Sequence, residues 1–199
     1  FDKPVIEDYL KDPENLMVRP ANLANTQAPG VGAKVFTVGT KKLLVINLLG
    51  QVFIDKPPTT PPFEAIDEIL KKFANEKISA TIVDFHTEAT SEQTAMGWYL
   101  DGRATLLVGT HTHVPTADAR ILPKGLGYIT DIGMTGASDE VIGVKKELAI
   151  ERFLHPKTAG RFDWPEQGNT QINAVYAELD ENTHTCKKIK LIQKSIKNI

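Results

Sequence analysis

Residues 78–113 read ISATIVDFHTEATSEQTAMGWYLDGRATLLVGTHTH, and this stretch decides the fold of the chain. The apolar run 78–83 predicts a strand, residues 90–100 predict a helix opened by a capping box, and residues 104–108 predict a second strand. A strand, a helix and a strand in this order form a parallel pair with a right-handed crossover. Ligands bind beyond the carboxyl ends of such strands, so the sequence predicts an α/β fold with its site at that edge.

Three histidines lie at this edge. His86 follows the first strand, and His111 and His113 follow the second. A neutral imidazole is the commonest protein ligand of a transition metal. In an extended chain, side chains at i and i+2 lie on one face about 6–7 Å apart, which suits one imidazole on each of two ions about 3.5–4 Å apart. The pattern predicts a metal-dependent hydrolase.

Two acidic residues flank His86. Asp84 or Glu88 could accept the second ring proton of a ligand histidine and fix its tautomer, and solvation or helix capping is the alternative for both. Three histidines also suffice for one zinc ion with an open position. A two-metal site needs bridging oxygen ligands in addition, and the sequence places no carboxylate convincingly as that bridge.

The rest of the chain predicts further elements of one α/β domain over residues 1–199. Patterns of apolar residues and turn signals give their positions. The predicted helices are 4–10, 63–73 and 144–154, and the predicted strands are 17–20, 34–38, 42–48, 128–130, 172–179 and 187–192. The strand pairs 34–38 with 42–48 and 172–179 with 187–192 are expected to be hairpins.

Composition excludes several classes of protein. The net charge is −2 and the basic residues are scattered, so no electrostatic footprint for long nucleic acid is present. No apolar run reaches the roughly 18–20 residues of a membrane span. Cys186 is the single cysteine, which fits a cytoplasmic protein without disulfides. His155 and His184 are isolated and are expected to be ordinary surface residues.

The motifs that carry the histidines resemble those of the YmdB-type bacterial metallophosphoesterases, which belong to the calcineurin-like superfamily. The resemblance covers nearly the whole chain. It is carried by residues 83–92, 95–98, 109–118, 128–136, 18–22 and 47–50. It implies a four-layer α/β/β/α sandwich in which two mixed sheets pack together with helices outside.

The same resemblance implies the activity and the site. It implies hydrolysis of phosphodiesters, with cyclic nucleotides such as 2′,3′-cyclic AMP as substrates. It implies two divalent or trivalent metal ions, iron or manganese with zinc also allowed. His86 and His111 would bind one ion, and His113 would bind the other.

Part of the family pattern has no match in this sequence. The family begins with a strand that ends in a metal-binding aspartate, followed by Glu-Asn and by Gly-Asn-His, which supplies the catalytic histidine. Phe1-Asp2-Lys3 resembles the continuation just after that last motif. We therefore expect residues upstream of Phe1, with the first strands and helices of the fold among them, and little activity from these 199 residues alone.

Other interpretations remain open at this point. One is a mononuclear zinc hydrolase of the amidohydrolase type, whose barrel needs about 250 residues and eight strand–helix units. Another is a non-catalytic metal-binding or regulatory module. Arg19 is a candidate phosphate contact because its planar fork matches phosphate oxygens, with an ion pair as the alternative. The sequence leaves the oligomeric state open and allows a homo-oligomer.

Overall fold

The computed structural model describes residues 4–158 and 160–197. Phe1-Asp2-Lys3, on which the expectation of upstream sequence rests, lie outside the described residues. The described helices are α1 (Pro4–Lys11), α2 (Pro62–Lys72), α3 (Thr90–Leu100) and α4 (Lys146–Leu154). The described strands are β1 (Ala33–Val38), β2 (Lys41–Leu49), β3 (Ala80–His86), β4 (Leu106–Thr110), β5 (Arg120–Ile121), β6 (Gly127–Ile129), β7 (Gly136–Ala137), β8 (Thr170–Asp180) and β9 (Thr185–Ile196).

The larger sheet has six strands in the order β1-β2-β3-β4-β6-β5. Its four inner strands are parallel, and the edge strands β1 and β5 are antiparallel to their neighbours. The sheet is therefore mixed, and the predicted parallel pairing of β3 with β4 is confirmed. This open sheet is not the closed barrel that the amidohydrolase alternative requires.

The smaller sheet, β7-β8-β9, is antiparallel as far as the structure describes it, whereas the family resemblance implies a mixed second sheet. Cys186 on β9 joins the two sheets. Its backbone N–H donates to Gly125 O at 2.8 Å. A Cβ on Gly127 would lie only 2.7 Å from its sulfur, which is too close for two side chains in contact. Gly127 thus permits the close approach of the sheets.

Helices α2 and α3 cover one face of the larger sheet. Every second residue of β2 points to this face, and Leu44, Ile46 and Leu48 are buried there against Ile66 of α2. Burying each such side chain stabilises the fold by about 1.5–3 kcal/mol. No helix in the described part of the chain is long and apolar enough to cross a membrane.

Two local predictions are wrong. Residues 17–20 form no strand; Pro20 makes only an isolated bridge to Asn47, because proline lacks the N–H that a ladder needs. The capping box at the start of α3 is also absent, since Ala89 is the N-cap residue and makes no side-chain cap. The carboxylate of Glu92 instead accepts hydrogen bonds from the loop that follows β2.

Candidate metal centre

The carboxyl ends of β2, β3 and β4 bring four polar side chains together. His86 ends β3 and lies opposite Thr110, which ends β4, while Asn47 on β2 lies opposite Asp84. Asp84 and His86 share one face of β3 because side chains alternate along a strand. The parallel register therefore builds a polar cluster where the sequence predicted a site.

A relay of hydrogen bonds fixes the ring of His86. Thr110 Oγ1 donates to Asp84 Oδ1 at 3.1 Å, so its oxygen accepts a proton from His86 Nδ1 at 3.1 Å. Asn47 Nδ2 donates to the other oxygen of Asp84 at 2.8 Å. Since the hydroxyl has only one proton to donate, we assign the ring proton of His86 to Nδ1, which leaves a lone pair on Nε2.

The ring of His111 reaches across to His86. His111 Nδ1 lies 2.9 Å from His86 Nε2, and the two rings meet edge to face at 4.8 Å between centroids. On its other side, His111 Nε2 lies 2.5 Å from Glu88 Oε2. The Glu88 carboxylate accepts a hydrogen bond from His111 Nε2, so the neutral form of this ring would carry its lone pair on Nδ1, toward His86.

Nitrogens 2.9 Å apart form an N–H···N hydrogen bond when one of them carries a proton, and when both rings are neutral their two lone pairs can bind a cation beside them. Metal–imidazole bonds of about 2.0–2.1 Å place two neighbouring ligand nitrogens about 3 Å apart, so the pair fits a metal ion. Within residues 4–158 and 160–197, however, no three His, Cys, Asp or Glu side chains converge to hold an ion by themselves. His86 and His111 thus offer part of a coordination shell.

Burial shapes the protonation of this cluster. It lowers the pKa of His86, and the neighbouring His111 lowers this pKa further, which keeps the imidazole neutral as a metal ligand requires. Burial also raises the pKa of Asp84, against the hydrogen bonds from Thr110 and Asn47. Asp84 does not touch the ring of His86 directly; it acts through the hydroxyl of Thr110.

His113 makes its hydrogen bond to a different part of the chain from the other two histidines. His111 has φ 145° and His113 has φ 65°, so this segment is a turn and the extended geometry expected from the sequence is wrong. His113 Nδ1 donates instead to Ile142 O at 3.0 Å, which leaves its Nε2 free. His113 still lies close enough to His86 to lower the pKa of that ring slightly.

Asp131 holds the turn that carries both histidines, and sequence reasoning missed it. Its side chain is buried and accepts hydrogen bonds from the backbone N–H of Thr112 at 2.8 Å and of Gly133 at 2.7 Å. Left-handed φ values at two bulky residues are strained, and they persist where the surroundings enforce them. The sequence signals for Asp131 were its position directly after the predicted strand 128–130 and its place in the motif 128–136.

The ion pair expected as the alternative role of Arg19 is not observed among the residues that the structure describes. Its guanidinium donates to the carbonyls of Ala28, Pro29 and Pro20, at 3.3, 3.1 and 2.8 Å. The side chain is nearly buried, and this burial lowers its pKa. Arg19 therefore braces the loop over residues 20–29, and its contact with phosphate stays a prediction.

An open cleft of about 1300 Å³ leads to the cluster. His86, His111 and Asp84 line its floor together with Asn47. Its walls come from two loops and are largely apolar; their lining residues include Leu23, Ala28, Pro29, Ile54, Pro57 and Pro58. The cleft can admit a small molecule that carries a polar group to the histidines and an apolar part to the walls.

Comparisons with known proteins give matches to one family over most of the chain. Residues 1–192 match the model of a family described as YmdB-like protein. The 2′,3′-cyclic-nucleotide 2′-phosphodiesterase of Bacillus subtilis is 45% identical over 192 residues, which cover 96% of this chain and 70% of that protein.

Two solved structures have the same fold at a TM-score of 0.86. One is a hypothetical protein from Thermus thermophilus, 35% identical, with 98% of this chain and 73% of that chain covered. The other is a phosphatase from Mycoplasma pneumoniae, 36% identical, with 98% and 68% covered. The fold of this chain is therefore shared with a structure described as a phosphatase.

Proposed function

Because the chain belongs to the YmdB-like protein family, we propose that it is a metal-dependent phosphodiesterase that hydrolyses 2′,3′-cyclic nucleotides. The activity in the name of the Bacillus subtilis relative supports this substrate. The observation that carries the proposal is the pair of imidazole nitrogens on His86 and His111, 2.9 Å apart. Glu88 contacts the ring of His111 directly, and Asp84 contacts that of His86 through the Thr110 hydroxyl. Residues 1–199 act as one metallophosphoesterase-like domain in this proposal.

The residues of the cluster have separate roles in this proposal. His86 and His111 bind one metal ion, and His113 binds a second ion through its free Nε2. Asp84, through Thr110, and Glu88 orient the two facing rings and keep their lone pairs directed at the ion. When bound, two metal ions polarise the phosphoryl oxygens and lower the pKa of the attacking water.

The remaining properties follow from the same proposal. The ions are iron or manganese, with zinc as the third candidate, since imidazole suits iron and zinc and the oxygen ligands of a two-metal site suit manganese. A two-metal site needs oxygen ligands beyond these three imidazoles, so the 199 residues alone should bind metal weakly and turn over little. The protein works in the cytoplasm, where its single cysteine stays reduced.

The first test measures the reaction itself. Protein expressed from its complete coding sequence should convert 2′,3′-cyclic AMP to 3′-AMP alone, because the proposed reaction breaks the bond to O2′. A chelator should abolish turnover, and added manganese or ferrous iron should restore it. Phosphorus NMR distinguishes the two possible products. Turnover that persists after chelation, or 2′-AMP as the product, would contradict the proposal.

A second test addresses the relay behind His86. Replacing Thr110 with Val keeps the shape of the side chain and removes the hydroxyl that joins His86 to Asp84. We expect kcat/KM or manganese affinity to fall about 10–100-fold, as is typical when a partner of a metal ligand is lost. Activity titrated against manganese measures both. Thr110→Ser is the control and should retain the relay; equal activity in all three proteins would disprove this role.

A further inference from the structure

The loop after β2 displays an aromatic ring in a strained conformation. Phe53 is 82% exposed and has φ 63°. Ile54 N donates to Gln51 O at 3.4 Å, so Phe53 is the third residue of a tight turn. A positive φ at this place normally calls for glycine or asparagine, and a bulky residue there is an outlier. Such strain points to a function for the side chain.

Helix α3 holds this turn in place. The carboxylate of Glu92 accepts hydrogen bonds from the backbone N–H of Gln51 at 3.0 Å and of Val52 at 3.2 Å, and from Thr87 Oγ1 at 2.8 Å. A Cβ on Gly50 would lie 2.5 Å from Glu92 Oε2, so the loop has no room to shift at that point. The ring of Phe53 is therefore exposed on a fixed backbone, and burial of the ring does not explain the strained φ.

The turn also lies at the rim of the histidine cleft. Gly50 N donates to the carbonyl of His86 at 2.8 Å, and Ile54 lines the cleft beside His86 and His111. Phe53 lies between these two anchored positions, and three residues of chain from Gly50 span at most about 11 Å. Phe53 does not itself line the cleft, but its neighbour Ile54 does, so the exposed ring lies at the rim of the cleft.

We propose that Phe53 is the stacking platform for the nucleobase of the substrate, an inference that rests on the proposed function. Every nucleobase has a flat π-face, so one exposed aromatic ring binds any of them, and purines stack more strongly than pyrimidines. Phe53 thereby favours cyclic nucleotides over cyclic phosphodiesters without a base.

The test compares two substrates in variants of the complete protein. Replacing Phe53 with Ala should raise KM for 2′,3′-cyclic AMP about tenfold, since removing one stacked base contact has an effect of this order. The KM for ribose 2′,3′-cyclic phosphate, which lacks the base, should rise much less. Loss of contacts that substrate and transition state share leaves kcat near its original value. Phe53→Trp should restore the low KM for the nucleotide.

Two controls separate stacking from loop structure. Phe153→Ala removes an equally exposed ring on α4, an element that contributes no residue to the cleft, and should leave both KM values unchanged. Phe53→Gly relieves the positive φ, so its melting temperature should rise while its KM for the nucleotide also rises.

The KM measurements can show separately whether the stacking role of Phe53 or the proposed phosphodiesterase activity is wrong. If Phe53→Ala raises both KM values equally, the residue only shapes the loop, and the platform is wrong. An unmodified protein that binds both substrates equally well would also overturn the platform while leaving the phosphodiesterase intact. An unmodified protein that hydrolyses neither substrate would overturn the proposed function, and the platform with it.

Discussion

Replacing His111 with Ala is expected to reduce the metal-dependent phosphodiesterase activity by more than about 100-fold. Loss of a residue that only hydrogen-bonds to a metal ligand reduces activity by up to about 100-fold, and loss of a ligand itself should have a larger effect. The reason is the geometry of the pair, in which His111 Nδ1 faces His86 Nε2 at 2.9 Å. Without His111, only the His86 nitrogen of this pair remains to bind the metal ion. Initial rates with 2′,3′-cyclic AMP at saturating manganese, together with metal content by elemental analysis, measure the effect.

The matched control for this variant is His155→Ala. The side chain of His155 is 59% exposed at the end of α4, and its nearest acid, Glu151, lies 3.9 Å away. Its removal should change neither rate nor metal content. Full activity in the His111→Ala protein would end the assignment of this cluster as the metal centre, whatever the behaviour of the control.

Replacing Gly109 with Ala is expected to destabilise the fold and the site together. A Cβ at this position would stand 1.7 Å from the carbonyl oxygen of Thr130 and 2.7 Å from Gln93 Nε2. A backbone atom cannot move aside as a flexible side chain can, so β4 must shift. We expect a loss of about 3 kcal/mol in the free energy of unfolding, which corresponds to a melting temperature lower by about 6–12 °C.

Thermal and urea unfolding followed by circular dichroism measure this loss. Gly160→Ala is the control, since a Cβ there meets no atom within 4 Å. Because Gly109 precedes the turn that carries His111, the variant should also lose activity below its melting temperature. A Gly109→Ala protein as stable as the control would show that β4 has more freedom than these distances allow.

The part of the fold that could be predicted from the sequence is the part that local periodicity determines. The apolar stripe of α2 and the β3-α3-β4 unit follow from residue spacing, and their positions are confirmed to within two or three residues. The short strands β5 and β7 were not predicted. Each has two residues, and pairing with neighbours distant in sequence creates them.

The candidate site could be predicted only in part, for a similar reason. The positions of His86 and His111 at neighbouring strand ends follow from the parallel crossover. The direction of each ring does not, because Asp131 imposes the turn at residues 111–113 through contacts about twenty positions away in sequence. The roles of Asn47 and Thr110 likewise emerge only from the register between strands.

The contact of Cys186 with Gly127 has a practical consequence. This thiol is the single one in the chain, its residue is 3% exposed, and burial raises its pKa. A thiol reagent can therefore modify it only after β9 lifts away from the larger sheet. The rate at which the reagent labels Cys186 in the unaltered protein therefore measures how often β9 opens, and no cysteine has to be introduced for the measurement.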